Sequence, residues 1–276
     1  MNYFNLPIEK WTNTFVDDWL LPNTSGFFDK ISDMLRAFID AVTNFLLIIP
    51  PEVIVLLVIL LAWKVSGKGL ALFSLIGAFY IGAVNLWDES VQTVAIVIVS
   101  TLISVIIGIP VGILAVLNRT ADRIIRPILD FMQTLPSFVY LIPAILLFGL
   151  GAVPAVIATF VFATPPAVRM TSLGIRQAPE EVIEASKAFG ATRWQLLAKV
   201  QFPLAIPTIM AGVNQTMMLA LSMAVIASMI GAPGLGDTVL TGISTVNVGL
   251  GLTGGLAIVV LAIILDRITQ SIGTKK

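Results

Sequence analysis

Side chains able to do covalent or acid–base chemistry are scarce in this 276-residue chain. It has neither histidine nor cysteine, which removes imidazole bases, thiol nucleophiles, disulfides and His/Cys metal sites together. No G-x-x-x-x-G-K-[ST] run is present, so the chain lacks a phosphate cradle of the P-loop kind. What remains is one dense stretch of charge between apolar blocks, residues 180–203, EEVIEASKAFGATRWQLLAKVQFP. Pro179, Glu180 and Glu181 stand where a helix N-terminus favours them, Gly190 breaks the helix, and a second amphipathic helix is expected after it. Trp194, Leu196, Leu197 and Val200 supply an apolar side, while Glu184, Lys187, Arg193 and Lys199 supply charge. The chemistry open to two short helices meeting at a glycine is recognition, a knob that fits a groove on another protein.

The elements that must position this knob are membrane spans. The chain is 57% hydrophobic and 12% charged, whereas soluble domains average about 25% charged residues. Residues 91–117 run for 27 positions without a charge, and a spanning helix needs about 20. Seven spans are predicted: 46–63, 70–86, 91–117, 128–149, 153–173, 204–230 and 248–265. Lys and Arg concentrate on the cytoplasmic side of short loops. With these spans, thirteen basic and six acidic residues fall on one side, net +7, against three basic and ten acidic on the other, net −7. The richer side is read as cytoplasmic, with the N-terminus outside and the C-terminus inside. Residues 1–26 lack the basic-then-apolar pattern of a cleavable signal peptide and are expected to be an extracytoplasmic tail. Across 27–45, Phe27, Phe28, Ile31, Met34, Leu35, Phe38, Ile39, Val42 and Phe45 recur at helical spacing opposite Asp29, Lys30, Asp33, Arg36 and Asp40. This predicts an amphipathic helix lying in the outer interface or bracing the bundle from outside. Residues 46–276 form the transmembrane domain, interrupted by the cytoplasmic segment 174–203.

Other residues have two readings each. Pro110, Pro143, Pro165, Pro166 and Pro207 fall within or near spans, where they produce ordinary kinks or a bent, water-lined path. The adjacent Pro165 and Pro166 are the best candidates for the path. Arg169 and Arg176 fit snorkelling anchors at the end of the fifth span, and Asp130 fits a local ion pair beside the basic 119–126 loop. Phe131, Phe138 and Tyr140 offer aromatic faces to a cation, or ordinary packing. Asn214, Gln215, Thr216 and Ser222 put polar groups on the sixth span, where they line a path or bond neighbouring helices.

The segment 180–203 resembles the loop shared by permease subunits of ABC importers, Glu-Ala-Ala, three residues, Gly, nine residues, Ile, one residue, Leu-Pro. Here the pattern stands as Glu184, Ala185, Ser186, then Gly190, then Val200, Phe202 and Pro203, with spacing intact and Ser186, Val200 and Phe202 as modest replacements. The runs LDFMQTLPSFVYLIPA (129–144), FATPPAVRMTSLGIRQAP (162–179) and NQTMMLALSMAVIASMIGAPGLG (214–236) extend the resemblance to permeases of glycine betaine and proline betaine importers.

The resemblance implies an all-α, polytopic membrane protein of the type I ABC importer permease fold, with about seven transmembrane helices and an N-terminal amphipathic helix. It implies pairing with a second copy, two cytoplasmic ATPase subunits that bind ATP and Mg, and a separate extracytoplasmic substrate-binding protein that holds the cargo in an aromatic cage. The permease itself would carry no catalytic residue, cofactor or metal, and nothing implies a nucleic-acid partner. Glu184, Ala185, Ser186, Gly190, Trp194, Val200 and Pro203 would couple to the ATPase. Phe138, Tyr140, Pro165, Pro166, Asn214, Gln215 and Ser222 are the candidates for the translocation path. Rival readings are an ABC importer for choline, carnitine, proline or another amino acid, and a channel or ion-coupled carrier. The charge asymmetry makes a direct prediction: a reporter fused after Lys276 should be active only in a cytoplasmic format, and a signal from the opposite side would overturn the topology.

Overall fold

The computed structural model describes residues 7–274; the ends of the expected N-terminal tail (1–6) and of the C-terminus (Lys275 and Lys276) lie outside the described residues. Within them the chain is helical and contains no strand. In lipid a helix satisfies its backbone polar groups internally, which a strand can do only in a closed barrel.

Helix α1 (Ile8–Thr14) passes through a short π-helical turn, Phe15–Leu20, into α2 (Leu21–Ile48). The helical run therefore begins well before residue 27, where the sequence places its start. Leu35 and Ile39 of α2 are buried, with Ile31 and Val42 packed beside them, and Phe28 meets Phe148 edge-on at 5.4 Å. Phe27, Met34, Phe38 and Phe45 stay exposed, so one apolar stripe braces the bundle while another faces outward.

At Ile49 and Pro50 the chain turns by 94° into α3 (Pro51–Ser66), and Gly67 alone links α3 to α4 (Lys68–Ala83). These 16-residue helices are each about 24 Å long, short of a hydrocarbon core of about 30 Å. Helix α5 (Trp87–Leu117), with 31 residues, is long enough at about 46 Å.

The segment 128–149 corrects the sequence reading. It is not one continuous span. Helix α6 (Arg119–Thr134) ends at Leu135–Pro136, the chain bends by 109°, and a 3-10 turn (Ser137–Tyr140) leads into the eight-residue α7 (Leu141–Phe148). Pro136 forces extended geometry on the residue before it, and Leu135 has φ −69° and ψ 135°. Arg119, Arg123 and Arg126 also suit α6 to an interface rather than to hydrocarbon.

Helix α8 (Ala152–Arg176) remains one element through Pro165 and Pro166, and α9 (Glu180–Ala188) follows. Helix α10 (Arg193–Leu196) continues through a π-helical turn, Leu197–Gln201, into α11 (Phe202–Ile226) and a closing 3-10 turn, Ala227–Ile230. A further short helix, α12 (Leu235–Ser244), precedes α13 (Val248–Thr274); the sequence reading places no helix at 235–244. Four of the described helical stretches, built on α5, α8, α11 and α13, are long and apolar enough to cross a membrane, and up to six spans result if each bent pair crosses once. The remaining apolar helix, α4, is shorter.

Helices α5, α8 and α11 form the centre. A Cβ at Gly112 of α5 would lie 2.7 Å from both Thr171 Cβ and the Val168 carbonyl of α8, and one at Gly212 of α11 would lie 2.6 Å from Met170 Cβ. Hydroxyls stitch the same seam: Ser100 donates to the Val156 carbonyl (3.5 Å) and Ser104 to the Phe160 carbonyl (3.2 Å), one helical turn apart. Without water to drive association, close packing and such bonds hold membrane helices together. Gly112→Val should therefore push α5 from α8 and cost about 1–3 kcal/mol. A control at Gly255, where nothing lies within 4 Å of an added Cβ, should leave Gly255→Ala with an unchanged or slightly higher melting temperature. Thermal unfolding of the two purified variants in detergent checks the difference.

Candidate functional site

The charged segment hangs from the end of α8. Pro179 caps α9, with Glu180 and Glu181 in its first turn. At the other end Gly190 adopts φ +79°, its N–H donating to the Lys187 carbonyl (2.9 Å) while Ala191 N–H donates to the Ser186 carbonyl (3.1 Å). This is a left-handed helix stop of the kind glycine favours. A Cβ added at Gly190 would meet nothing within 4 Å, so backbone geometry rather than crowding demands glycine there.

Thr192 restarts the helix. Its hydroxyl accepts from Gln195 N–H while its own N–H donates to Gln195 Oε1 (2.8 Å), a reciprocal cap. The second helix is not a separate short element as expected, because 193–230 is one continuous helical stretch. Leu196 and Leu197 are buried, Leu197 in a cluster with Ile175, Ala205 and Ile209. The knob is thereby rooted where α8 and α11 meet. Its outer side is bare: no residue of α9 is buried, Phe189 is 94% exposed and Trp194 69%. Glu184 and Ala185 are exposed on α9, Ser186 is half-buried and bonds back to the Val182 carbonyl (2.7 Å), Val200 is half-buried in the π-helical turn, and Pro203 sits in the first turn of α11. The sequence reading passes over Phe189, although its position just before the glycine stop is a signal that could have found it.

Beside this knob α6 is clasped to α8. Arg176 Nη2 lies 3.0 Å from Asp122 and donates to the Ala115 carbonyl at 2.9 Å, and Arg126 pairs with the same Asp122 at 2.9 Å. About two turns back along α8, Arg169 meets Asp130 at 2.6 Å. Asp130 therefore makes its ion pair across helices, with Arg169, while Arg126 on its own helix acts on it through charge alone. Arg169 and Arg176 each tie α8 to α6 through an ion pair. The pairs border a cleft of about 630 Å³ that also takes in Gln133, Pro166, Met170 and Gln215.

The candidates for a path are not gathered in one place. Pro166 and Gln215 line the cleft. Pro165 is buried within α8. Tyr140 is buried, donates to the Met132 carbonyl and meets Phe162 edge-on at 5.9 Å, while Phe138 is exposed. Asn214 turns to α13 and donates to Asp266 (2.8 Å), and Ser222 bonds back to the Met218 carbonyl (3.1 Å).

This architecture is that of a multi-pass, α-helical membrane protein. The family of binding-protein-dependent transport system inner membrane components matches residues 104–275. The chain is 49% identical to the glycine betaine transport system permease protein OpuAB of Bacillus subtilis, over 98% of this chain and 96% of the relative. It is 46% identical to the glycine betaine/proline betaine transport system permease protein ProW of Escherichia coli, over 97% of this chain and 75% of that one. Among solved structures, a chain of the inward-facing MetNI methionine ABC transporter superposes with TM-score 0.61 at 25% identity, covering 66% of this chain and 91% of that one. The chain belongs to the binding-protein-dependent transport system inner membrane component family, with the type I ABC importer permease fold.

Arg126 first, and then Arg176, hold the Asp122 carboxyl below its ordinary value of 3.8, against partial desolvation. A depressed carboxylate pKa means that the clasp's contribution is complete above the unfolded value and is lost only as pH falls through the lower folded one. Because the chain has no native cysteine, a spin-label pair on α6 and α8 can report the clasp. The interlabel distance should hold from neutral pH down to about pH 4 and broaden below it, and Asp122→Asn should broaden it at every pH.

Proposed function

We propose that this chain is the permease subunit of an ATP-driven importer that carries glycine betaine, or a related quaternary-ammonium osmoprotectant, across the cytoplasmic membrane. The observation that carries the cargo class is the identity of 46–49% along nearly the whole chain with permeases named for glycine betaine. Two copies would pair, each seating a cytoplasmic ATPase subunit, and a separate extracytoplasmic binding protein would deliver the cargo. ATP and Mg would bind the ATPase subunits; the permease needs no catalytic group of its own for this role. The N-terminus would lie outside and the C-terminus in the cytoplasm.

Coupling follows from the exposed knob. Glu184, Ala185, Ser186, Gly190 and Trp194 would enter the ATPase cleft, and Val200 and Pro203 would pass its movement into α11. Phe189 and Trp194 supply apolar surface that a partner would cover, since aromatic anchors dominate such contacts. Because Leu197 packs with Ile175 and Ala205, a push on the knob reaches α8 and α11 together. Alternating access then requires only that the two nucleotide states favour different seatings of the knob.

The test is ATP-dependent uptake of labelled glycine betaine by the permease reconstituted with its ATPase and binding protein. Gly190→Val places a β-branched residue at φ +79°, a strain of about 1–2 kcal/mol. It should cut uptake and ATPase co-purification sharply while membrane insertion persists, and Gly190→Asn should retain more of both. Uptake without ATPase subunits, or full uptake by Gly190→Val, would overturn the reading.

A further inference from the structure

The coupling knob leaves the cleft between α6 and α8 without a role. We propose that this cleft is a cargo site on the permease itself, in which the Arg169–Asp130 pair recognises solutes carrying a quaternary ammonium and a carboxylate in one molecule. The proposal rests on the betaine reading and deepens it by naming the side chains that would meet the cargo after the binding protein releases it.

The two ion-paired groups bordering the cleft, one centred on Asp122 and one on Asp130, differ in a way that assigns them different work. Asp122 is held twice, by Arg126 and Arg176, and Arg176 is tied in addition to the Ala115 carbonyl. That group is a fastening. Arg169 and Asp130 meet through one hydrogen bond of 2.6 Å, and their side chains are 43% and 68% accessible. Both charges can therefore be reached from the cleft, whose volume of about 630 Å³ falls within the range of about 300–1,000 Å³ typical of small-molecule sites.

The chemistry of exchange favours a zwitterion. A carboxylate can take the Arg169 guanidinium through two parallel hydrogen bonds. A quaternary ammonium has no proton to donate, so it needs a negative charge or an aromatic face, and Asp130, released from Arg169, supplies the charge. After the exchange every charge again has a partner. A simple cation such as choline would satisfy Asp130 and strand Arg169; a neutral solute would separate the pair and replace neither half. Only a zwitterion therefore gives both halves of the pair a new partner, and the pair discriminates by charge pattern. Apolar walls from Leu129 and Met170 suit the methyl groups of the ammonium. Binding by exchange is also weak, because the existing pair must be broken, and weak binding suits a site that has to let cargo go.

The test uses the permease–ATPase complex in nanodiscs without the binding protein, with isotope-labelled glycine betaine as probe and binding followed by magnetic resonance. Saturable binding is expected in the millimolar range, where weak sites lie, competed by other betaines and not by choline. Arg169→Gln should weaken it about tenfold or more, as loss of a charge-assisted hydrogen bond implies, and Asp130→Asn should weaken it too, by removing the negative charge that faces the ammonium. Arg169→Lys should fall between them and the wild type. If either neutral variant fails to assemble, the choline comparison on the wild-type complex still decides. Absence of saturable binding, equal competition by choline, or wild-type affinity in assembled Arg169→Gln would overturn the proposal. Uptake by the wild-type transporter with its binding protein is measured in parallel: betaine uptake without a cleft site refutes only this inference, whereas no betaine uptake refutes the cargo class itself.

Discussion

Close contact of α8 with α5 and α11 is the constraint on which the rest of the molecule depends. Gly108 and Gly112 on α5, Gly174 on α8 and Gly212 on α11 stand where a side-chain carbon would collide with the neighbouring helix. Lipid tails are as apolar as leucine, so burial of greasy surface holds helices together far less than in water, and dense packing has to do it. A helix held this tightly moves as a body. Its end bears Arg169, Arg176 and, after a three-residue turn, α9, so the clasp on α6 and the charged knob inherit the position of α8.

The knob reconciles two opposed demands. In the proposed coupling role it would have to be rigid, to transmit displacement, and exposed, to be reached by a partner. Rigidity comes from the backbone: a left-handed stop at Gly190, a reciprocal cap at Thr192 and Gln195, and a helix that runs on without a break into α11. Exposure follows because its hydrophobic anchor is confined to one end, where Leu196 and Leu197 turn inward. Beyond that anchor Phe189 and Trp194 stand exposed.

The polar groups within the bundle show a similar economy. Ser100, Ser104 and the side-chain nitrogen of Asn214 find partners on other helices, and α8 stays one helix although Pro165 and Pro166 deprive it of two N–H donors. Pro136, by contrast, ends its helix. The difference lies in the surroundings: the residues around Pro165 and Pro166 are buried by packed neighbours, whereas Leu135 and Pro136 lie between a charged amphipathic helix and a short apolar one.

The apolar blocks and the order Glu184, Gly190, Pro203 were legible in the linear chain, because they depend on composition and on spacing within one element. Hydrophobicity alone separates lipid from water, and a glycine flanked by helix signals marks a stop wherever it occurs. The pairing of Asp130 with Arg169, 39 residues away, was not legible, nor was the break that turned 128–149 into two elements. A carboxylate near a basic loop suggests the nearest arginine, yet the helix face on which each charge falls selects the partner. Likewise Asn214 and Gln215, adjacent in sequence, point to α13 and to the cleft respectively, since successive residues on a helix are about 100° apart. The sequence by itself determined that the chain lives in a membrane and carries a charged helix–glycine–helix segment between apolar blocks. Only the tertiary structure decided which charges meet across helices and where a cleft remains, because both depend on the rotation of packed helices about their axes, which no local pattern encodes.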